Sequence, residues 1–326
     1  MIAFQLKGVA RAITANLRAE FIPPFVGPQA AAGQGWHPGN VNGVRLPRPL
    51  LRPALKIARH GDVLGSRAAN GSFAHSGAWM DPMTVRLGRL AVVLEEGTTG
   101  DSRPVRGMVM TSQGAIEAWV KPVADLQRVQ VEVACSLLGQ SLDLPVPEPL
   151  VVLIGPEFGG PGIGFGSGAV GHPNVARWMD TAAAVVLRRL KEWAKVVDAA
   201  CFDEWIGNCD RHPGNMIYDG QSFWLIDHDK AMHPLIELDA LSPINQLFEF
   251  VIDGADESKL LKLQQVVGAS MHEMQKYSVQ DLIDQADSAA WPPASLIPLR
   301  DWLTERQNHL ARLGGDRVPA RQLGVI

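Results

Sequence analysis

The chain has 326 residues, 46% of them hydrophobic, and a formal net charge of −4. This length and composition can bury a large core and leave room for two lobes. Its three cysteines exclude a disulfide-stapled scaffold and favour a reducing, cytoplasmic location. No apolar run approaches the length of a membrane-spanning helix, so we expect a soluble protein.

Charge divides the chain near residue 80. Residues 1–80 contain nine Lys or Arg and two Asp or Glu, whereas the rest of the chain is acidic. This first part is also rich in Pro, Gly and Ala, so we predict a basic and largely disordered extension. A basic arm of this kind could meet nucleic acid, a membrane or a transit receptor, but an uninvolved extension is the simpler interpretation.

Three strand-like runs follow, over 90–94, 105–110 and 115–120. The turn between the first two bears glycines and hydroxyls, which suits a loop that covers nucleotide phosphates, although an ordinary hairpin loop is the alternative. The third run ends at Lys121, the position at which a kinase site carries its phosphate-pairing lysine. The candidate nucleotide-binding residues in the turn are Gly97, Thr98, Thr99 and Gly100.

The next stretch, over 125–142, has apolar residues at a helical period and contains Glu132. We predict that Glu132 pairs with Lys121 and orients it; a solvated helix residue is the alternative. A proline-rich break then ends the helix, and 150–154 has the pattern of a buried strand.

A glycine-rich segment occupies 159–168. It is a second candidate for a phosphate loop, but it follows the last strand-like run of the first half. We therefore predict a hinge, an acceptor-side loop or a flexible connector.

The second half of the chain is predicted to be mainly helical. Asp180 or Thr181 can cap a helix over 182–205, which Gly207 and Asn208 would end. Further helical periods extend over 235–253, 257–274, 278–286 and 296–313.

The most informative segment lies between these helices and reads DRHPGN over 210–215. Pro213 and Gly214 favour a turn, so the carboxylate of Asp210 and the amide of Asn215 can face one cleft. Two short apolar runs around Asp219 and Gly220 predict a two-residue hairpin turn that carries Asp227 back to this loop. A carboxylate for an acceptor hydroxyl and two oxygen ligands for Mg²⁺ are what phosphoryl transfer requires.

The segments FDEWIGNCDRHPGN over 202–215 and WLIDH over 224–228 resemble the catalytic core of HipA-like kinases. The resemblance extends over roughly 87–229. It implies an α+β, two-lobed protein-kinase-like fold with a small β-rich lobe over 81–155 and a larger helical lobe over 156–326. It also implies Asp210 as the catalytic base, with Asn215 and Asp227 as metal ligands.

The same resemblance implies ATP and Mg²⁺ as cofactors, with Lys121, oriented by Glu132, clamping the phosphates. The expected acceptor is a Ser or Thr hydroxyl of a protein, and an antitoxin or regulatory partner is compatible with this family. One departure from ordinary protein kinases is that His228 and Asp229 stand where Phe and Gly would follow the metal-binding Asp.

Three alternatives stay open at this point. The Asp-Arg-His-x-x-Asn order also resembles phosphatidylinositol kinases, so the acceptor could be a lipid. The domain could bind nucleotide without catalysing transfer. Cys209, His212 and His228 could instead bind a transition metal, but their spacing matches no standard zinc pattern.

Overall fold

The computed structural model describes residues 85–97, 103–123, 125–159, 162–288, 290–292 and 294–318. The predicted extension over 1–80 and the candidate residues Thr98, Thr99 and Gly100 lie outside the described residues. The described part is of mixed α and β class, as predicted, with seven α-helices, a barrel and a separate hairpin. Within it, no helix combines the length and the apolar character needed to cross a bilayer.

Five strands close into a small barrel in the order β1-β2-β3-β5-β4. The strands are β1 Arg86–Glu96, β2 Val105–Thr111, β3 Gly114–Pro122, β4 Pro149–Leu153 and β5 Ile163–Gly168. Neighbouring strands are antiparallel except β1 and β4, whose parallel pairing closes the barrel. Alternate residues of these strands point inward, and fully buried side chains fill the interior: Leu90, Val109, Ala118, Val120, Leu150 and Val152.

The prediction of a hinge or connector over 159–168 is wrong for most of that segment, because it forms β5, a strand of the barrel wall that pairs with β3 and β4. Its glycines permit close packing of neighbouring strands. A Cβ at Gly164 would lie 2.5 Å from the carbonyl oxygen of Lys121, and one at Gly166 would lie 2.7 Å from Val152 Cγ2. The glycines therefore serve backbone approach rather than flexibility.

Helix α1, Leu126–Ser141, packs on β4 and β5 and lies where the sequence predicts a helix. The Asp125 carboxylate accepts a hydrogen bond from Gln127 N and ends the preceding extended segment. The apolar side of the helix, which includes Val129 and Val133, is fully buried. Because Glu132 lies on this buried helix, it is held rigidly beneath β3.

The single helix predicted over 182–205 is instead two helices, α2 Val175–Glu192 and α3 Val196–Trp205. The backbone of α2 is non-helical at Ala182, with φ −144° and ψ 38°, so a kink lies where the sequence predicts the helix start. The segment before the kink was not predicted, and it is capped by Asn174, whose side chain accepts from Arg177 N. α2 ends at Trp193, whose backbone is extended and whose ring centroid lies 5.5 Å from that of Phe223. Neither glycine nor proline marks this position in the sequence.

Four more helices complete the described part: α4 Gln246–Ile252, α5 Glu257–Met274, α6 Val279–Ala286 and α7 Ile297–Arg317. The last three match their predictions to within a turn. The helix predicted over 235–253 is confined to α4, however, and its first part forms turns. In this first part, the carbonyl oxygens of Glu237, Leu238 and Ala240 accept hydrogen bonds from the guanidinium of the buried Arg306, rather than from backbone N–H groups of a helix.

Candidate active site

The ammonium group of Lys121 lies between two carboxylates contributed by distant parts of the sequence. Its Nζ is 2.7 Å from Glu132 Oε1, on α1, and 2.6 Å from Asp227 Oδ1, beyond the hairpin. Burial by itself lowers the pKa of Lys121, but the charges of Glu132 and Asp227 outweigh it and leave that pKa raised. Lys121 is therefore a fixed cation that connects the barrel, α1 and the hairpin segment.

Glu132 is the most enclosed member of this group. Its second oxygen accepts a hydrogen bond of 2.8 Å from the backbone N–H of His228. Burial opposes ionisation of the carboxyl, but Lys121 and His228 together hold the pKa of Glu132 below its usual range. A buried carboxylate held charged in this way is suited to orienting a lysine, and that role of Glu132 stays a prediction.

Asp227 differs from Glu132 in exposure and in backbone conformation. Its side chain is 32% exposed, so the carboxylate is accessible to solvent as well as paired with Lys121. Its φ of 62° lies in the left-handed region, which few residues other than glycine adopt. Such backbone conformations persist where surrounding contacts enforce them and are concentrated at functional sites.

The loop around Asp210 is held by hydrogen bonds from its own backbone and asparagine side chains. Asp210 N donates to Asn208 Oδ1 at 3.1 Å, and Asn215 Nδ2 donates to the Asp210 carbonyl at 2.9 Å. The same Nδ2 lies 3.4 Å from Asp210 Oδ2, so the two predicted site residues contact each other directly. His212 Nδ1 accepts from Gly214 N and caps the 3₁₀ turn Pro213–Asn215.

Arg211 fixes this loop from beneath. It is 2% exposed and makes a bidentate pair with the buried Asp203, on α3, at 3.0 and 2.9 Å. Its remaining donors reach the carbonyls of Asn215 and Ile226 at 2.8 and 2.7 Å. One guanidinium therefore joins α3, the Asp210 loop and the segment before Asp227.

The hairpin that brings Asp227 back consists of β6, Met216–Tyr218, and β7, Phe223–Leu225. The two-residue turn predicted at Asp219 and Gly220 is wrong, because four residues separate the strands. The Asp219 carboxylate accepts from Gln221 N, Ser222 N and Trp224 Nε1, which organises the longer loop. After β7, Ile226 N donates to the Asn215 carbonyl at 3.2 Å.

Three charged residues at the site were not identified from the sequence. Lys230 Nζ lies 2.9 Å from Asp210 Oδ2, and Arg128 pairs with Asp229. Burial and the charge of Asp227 raise the pKa of Asp229 to about 6. The only hint in the sequence was that the run DHDK over 227–230 is densely charged. Within this run, only Asp227 had been assigned to the site.

The candidate phosphate turn is described only at its first residue. Gly97 N donates to the Pro104 carbonyl at 2.7 Å, directly after β1. A Cβ at Gly97 would lie 2.6 Å from that oxygen, so the glycine is required for this close approach. The nucleotide-binding role of the turn stays a prediction.

The oxygen donors in this cleft suit a hard divalent cation. Asp227 offers a partly exposed carboxylate, and Asn215 directs its amide nitrogen to Asp210, which leaves the amide oxygen for another partner. Mg²⁺ takes few protein oxygens and completes its shell with phosphates and water. Across the described ranges, by contrast, no three His, Cys, Asp or Glu side chains are grouped as a metal cluster, which gives no support to a site at Cys209, His212 and His228.

Comparison with known proteins adds little. No family model matches the chain, and no curated protein matches it. Among solved structures, the crystal structure of the Helicobacter pylori proinflammatory kinase CtkA is similar, with 12% identity and a TM-score of 0.46 over 71% of this chain and 97% of that one. Similarity at this level carries no inference about the fold or activity of the chain.

Proposed function

We propose that the protein is an ATP-dependent phosphotransferase with a protein-kinase-like, two-lobed fold of the HipA type. The observation that supports this most strongly is the position of Lys121 between Glu132 and Asp227, at 2.7 and 2.6 Å. A lysine at the end of the third strand, a glutamate on the following helix and an aspartate beyond the catalytic loop are the elements that hold nucleotide phosphates in kinases.

Each residue has a distinct part in this proposal. Lys121, oriented by Glu132, pairs with the α- and β-phosphates of ATP, and Gly97 with the adjoining turn residues covers them. Asn215 and Asp227 are the protein ligands of Mg²⁺, which supplies charge neutralisation for the phosphates. Asp210 orients the acceptor hydroxyl and accepts its proton.

The support for these roles comes from how the groups are held. Asp210 and Asn215 contact each other, and Arg211 holds their loop against the segment that leads to Asp227. Preorganisation of this kind matters because phosphoryl transfer depends almost entirely on positioning and electrostatics. A loop that is fixed before substrate binds does not have to be ordered during the reaction.

The acceptor that we propose is a Ser or Thr hydroxyl of a protein. The test is incubation of the purified chain and its Asp210→Asn variant with γ-labelled ATP, Mg²⁺ and a host lysate. We expect labelled protein with the wild type and a loss of about 10³-fold in the variant, because a general base contributes roughly 10² to 10⁴. Calorimetry should give nearly equal Mg-ATP affinity for the two chains.

The distribution of label distinguishes the remaining classes. Label in the extracted lipid fraction would replace the protein acceptor with a phosphatidylinositol-type lipid. Binding of Mg-ATP without any labelled product would indicate a catalytically inactive nucleotide-binding module. Equal labelling by wild type and Asp210→Asn would remove the assignment of Asp210.

A further inference from the structure

Lys230 forms an ion pair with Asp210 that the proposed roles leave unexplained, and it lies nearer to that carboxylate than His212 Nε2, which is 4.0 Å from the same oxygen. Its ammonium lies 2.9 Å from Asp210 Oδ2, the carboxylate assigned to the acceptor hydroxyl. Lys230 lies in a turn closed by a 2.9 Å hydrogen bond from Ala231 N to the His228 carbonyl. The next residue, Met232, is buried and its N–H donates to the Ile206 carbonyl at 2.8 Å, so the turn is anchored on both sides.

The other cations near these carboxylates are already engaged in the described structure. Arg211 is buried and uses its donors on Asp203 and on two carbonyls. Lys121 is held by Glu132 and Asp227, and Arg128 pairs with Asp229. The loop over 210–215 contains no lysine.

Lys230 is different because its side chain is 56% exposed. An ion pair with that exposure is weak, so the ammonium can leave Asp210 when a stronger anion arrives. The γ-phosphate of ATP would have to lie next to Asp210 for a hydroxyl held there to attack it. A flexible lysine on an anchored turn is then within reach of both groups.

We infer that Lys230 is a further catalytic residue, which contacts the γ-phosphoryl group as it is transferred; this rests on the proposed function. The acceptor oxygen forms a bond to the γ-phosphorus as the bond from phosphorus to the bridging oxygen breaks. The electron pair of that bond stays with ADP, and the hydroxyl proton passes to Asp210. Lys230 stays protonated throughout and neutralises charge on the equatorial oxygens.

This assignment differs from two simpler roles of the same contact. A surface ion pair that only stabilises the turn would leave turnover unchanged when it is removed. A latch that blocks Asp210 would give faster turnover when it is removed. Loss of turnover with intact nucleotide binding would exclude both of these roles.

The test compares Lys230→Met, Lys230→Arg and the control Lys276→Met, which removes an exposed lysine paired with Glu273 in the described structure. We expect Lys230→Met to lower kcat about 100-fold, as removal of one charge-stabilising donor does, with KM for ATP within about threefold of wild type. Lys230→Arg should recover part of the loss, and Lys276→Met should match wild type. Unchanged or increased kcat in Lys230→Met would overturn the inference.

A second measurement does not depend on turnover. Calorimetry with Mg-ADP, with and without aluminium fluoride as a mimic of the transferring phosphoryl group, should show tighter binding in the presence of fluoride for wild type. Lys230→Met should bind Mg-ADP as tightly as wild type does. The increase in its affinity on addition of fluoride should be smaller than that of wild type by a factor of about ten or more. Equal gains in the two chains would overturn the role of Lys230 alone, whereas no Mg-ADP binding by wild type would overturn the proposed function as well.

Discussion

Adjacent carboxylates on α3 belong to two regions that use similar ionic chemistry for different ends. Glu204 joins what we call the Glu204 cluster, which consists of Glu204, Ser242, Asn245, Arg306 and Arg317. Asp203 instead supports the candidate active site through Arg211. Both carboxylates are fully buried, so the difference between the regions lies in the groups that they hold.

In the Glu204 cluster the charged groups are enclosed and multiply bonded. Glu204 accepts from Arg306 at 3.0 Å, Arg317 at 2.8 Å and Ser242 N at 2.7 Å. Arg306 is 0% exposed and also donates to carbonyls of the segment before α4. Two guanidiniums share the Glu204 carboxylate, and carbonyl and hydroxyl oxygens accept from their other donors, so the polar groups of this cluster are satisfied inside the protein.

The candidate active site is left open by comparison. The Asp210 and Asp227 carboxylates are 29% and 32% exposed, and burial, together with the charges of Asp227 and Glu132, raises the pKa of Asp229. Accumulated negative charge of this kind is costly unless a cation joins it. The contrast indicates that enclosed ionic networks stabilise the chain, whereas incompletely compensated ones are where a ligand is expected.

The largest expected effect on folding comes from Arg306→Met. Removing this guanidinium leaves Glu204 and several buried carbonyls without donors, so we expect a loss of about 3 to 5 kcal/mol in the free energy of unfolding. Urea denaturation measures it, with Arg300→Met as a control within about 0.5 kcal/mol, since Arg300 forms an exposed pair with Asp301. A loss below about 1 kcal/mol would contradict the structural role of the cluster.

Arg211→Met tests whether one buried ion pair both stabilises the fold and holds the candidate active site in position. We expect a loss of about 3 kcal/mol in stability, because Asp203 is left charged and buried, together with a loss of Mg-ATP binding. Adding Asp203→Asn should recover part of the stability, since no buried charge then lacks a partner. If that double variant also regained nucleotide binding in full, Arg211 would not be needed to hold the loop.

Asp227→Ala should have the opposite profile to Arg306→Met. We expect Mg-ATP affinity to fall by about 2 kcal/mol, roughly 30-fold, with a smaller loss of unfolding free energy than in Arg306→Met, because Lys121 keeps Glu132 as a partner when Asp227 is removed. Calorimetry with and without Mg²⁺ measures the affinity, and the residual ATP binding should no longer depend on the metal. Unchanged Mg-ATP affinity would remove Asp227 from the metal site.

The features of the molecule that could be predicted from the sequence are local ones. Four strands of the barrel and α1 were predictable because the hydrophobic period is local, and Lys121 could be paired with Glu132 from their order along the chain. The fixed contact of Lys121 with Asp227, and those of Arg211 with Asp203 and of Lys230 with Asp210, were not, since they depend on tertiary packing. The glycines of β5 led to the wrong prediction of a connector for a related reason. Glycine permits both a flexible segment and the close approach of strands, and tertiary packing decides between the two.

The smallest expected effect comes from Asp219→Asn, which changes the hairpin loop without touching the cleft. Burial opposes ionisation of Asp219, but hydrogen bonds from Ser222, Trp224 and Gln221 outweigh it and leave its pKa lowered. A carboxyl with a lowered pKa stabilises the fold above its unfolded pKa of about 4, and that contribution is lost as the pH falls through the folded value.

We therefore expect Asp219→Asn to cost up to about 1 kcal/mol at pH 7, and we expect this difference from wild type to shrink as the pH falls from 5 to 3. Guanidinium denaturation at pH 7, 5 and 3 measures the difference, and Mg-ATP affinity should be unchanged at pH 7. A pH-independent difference would mean that shape rather than charge organises the loop. A large fall in affinity would mean that the hairpin turn, and not only Arg211, positions Asp227.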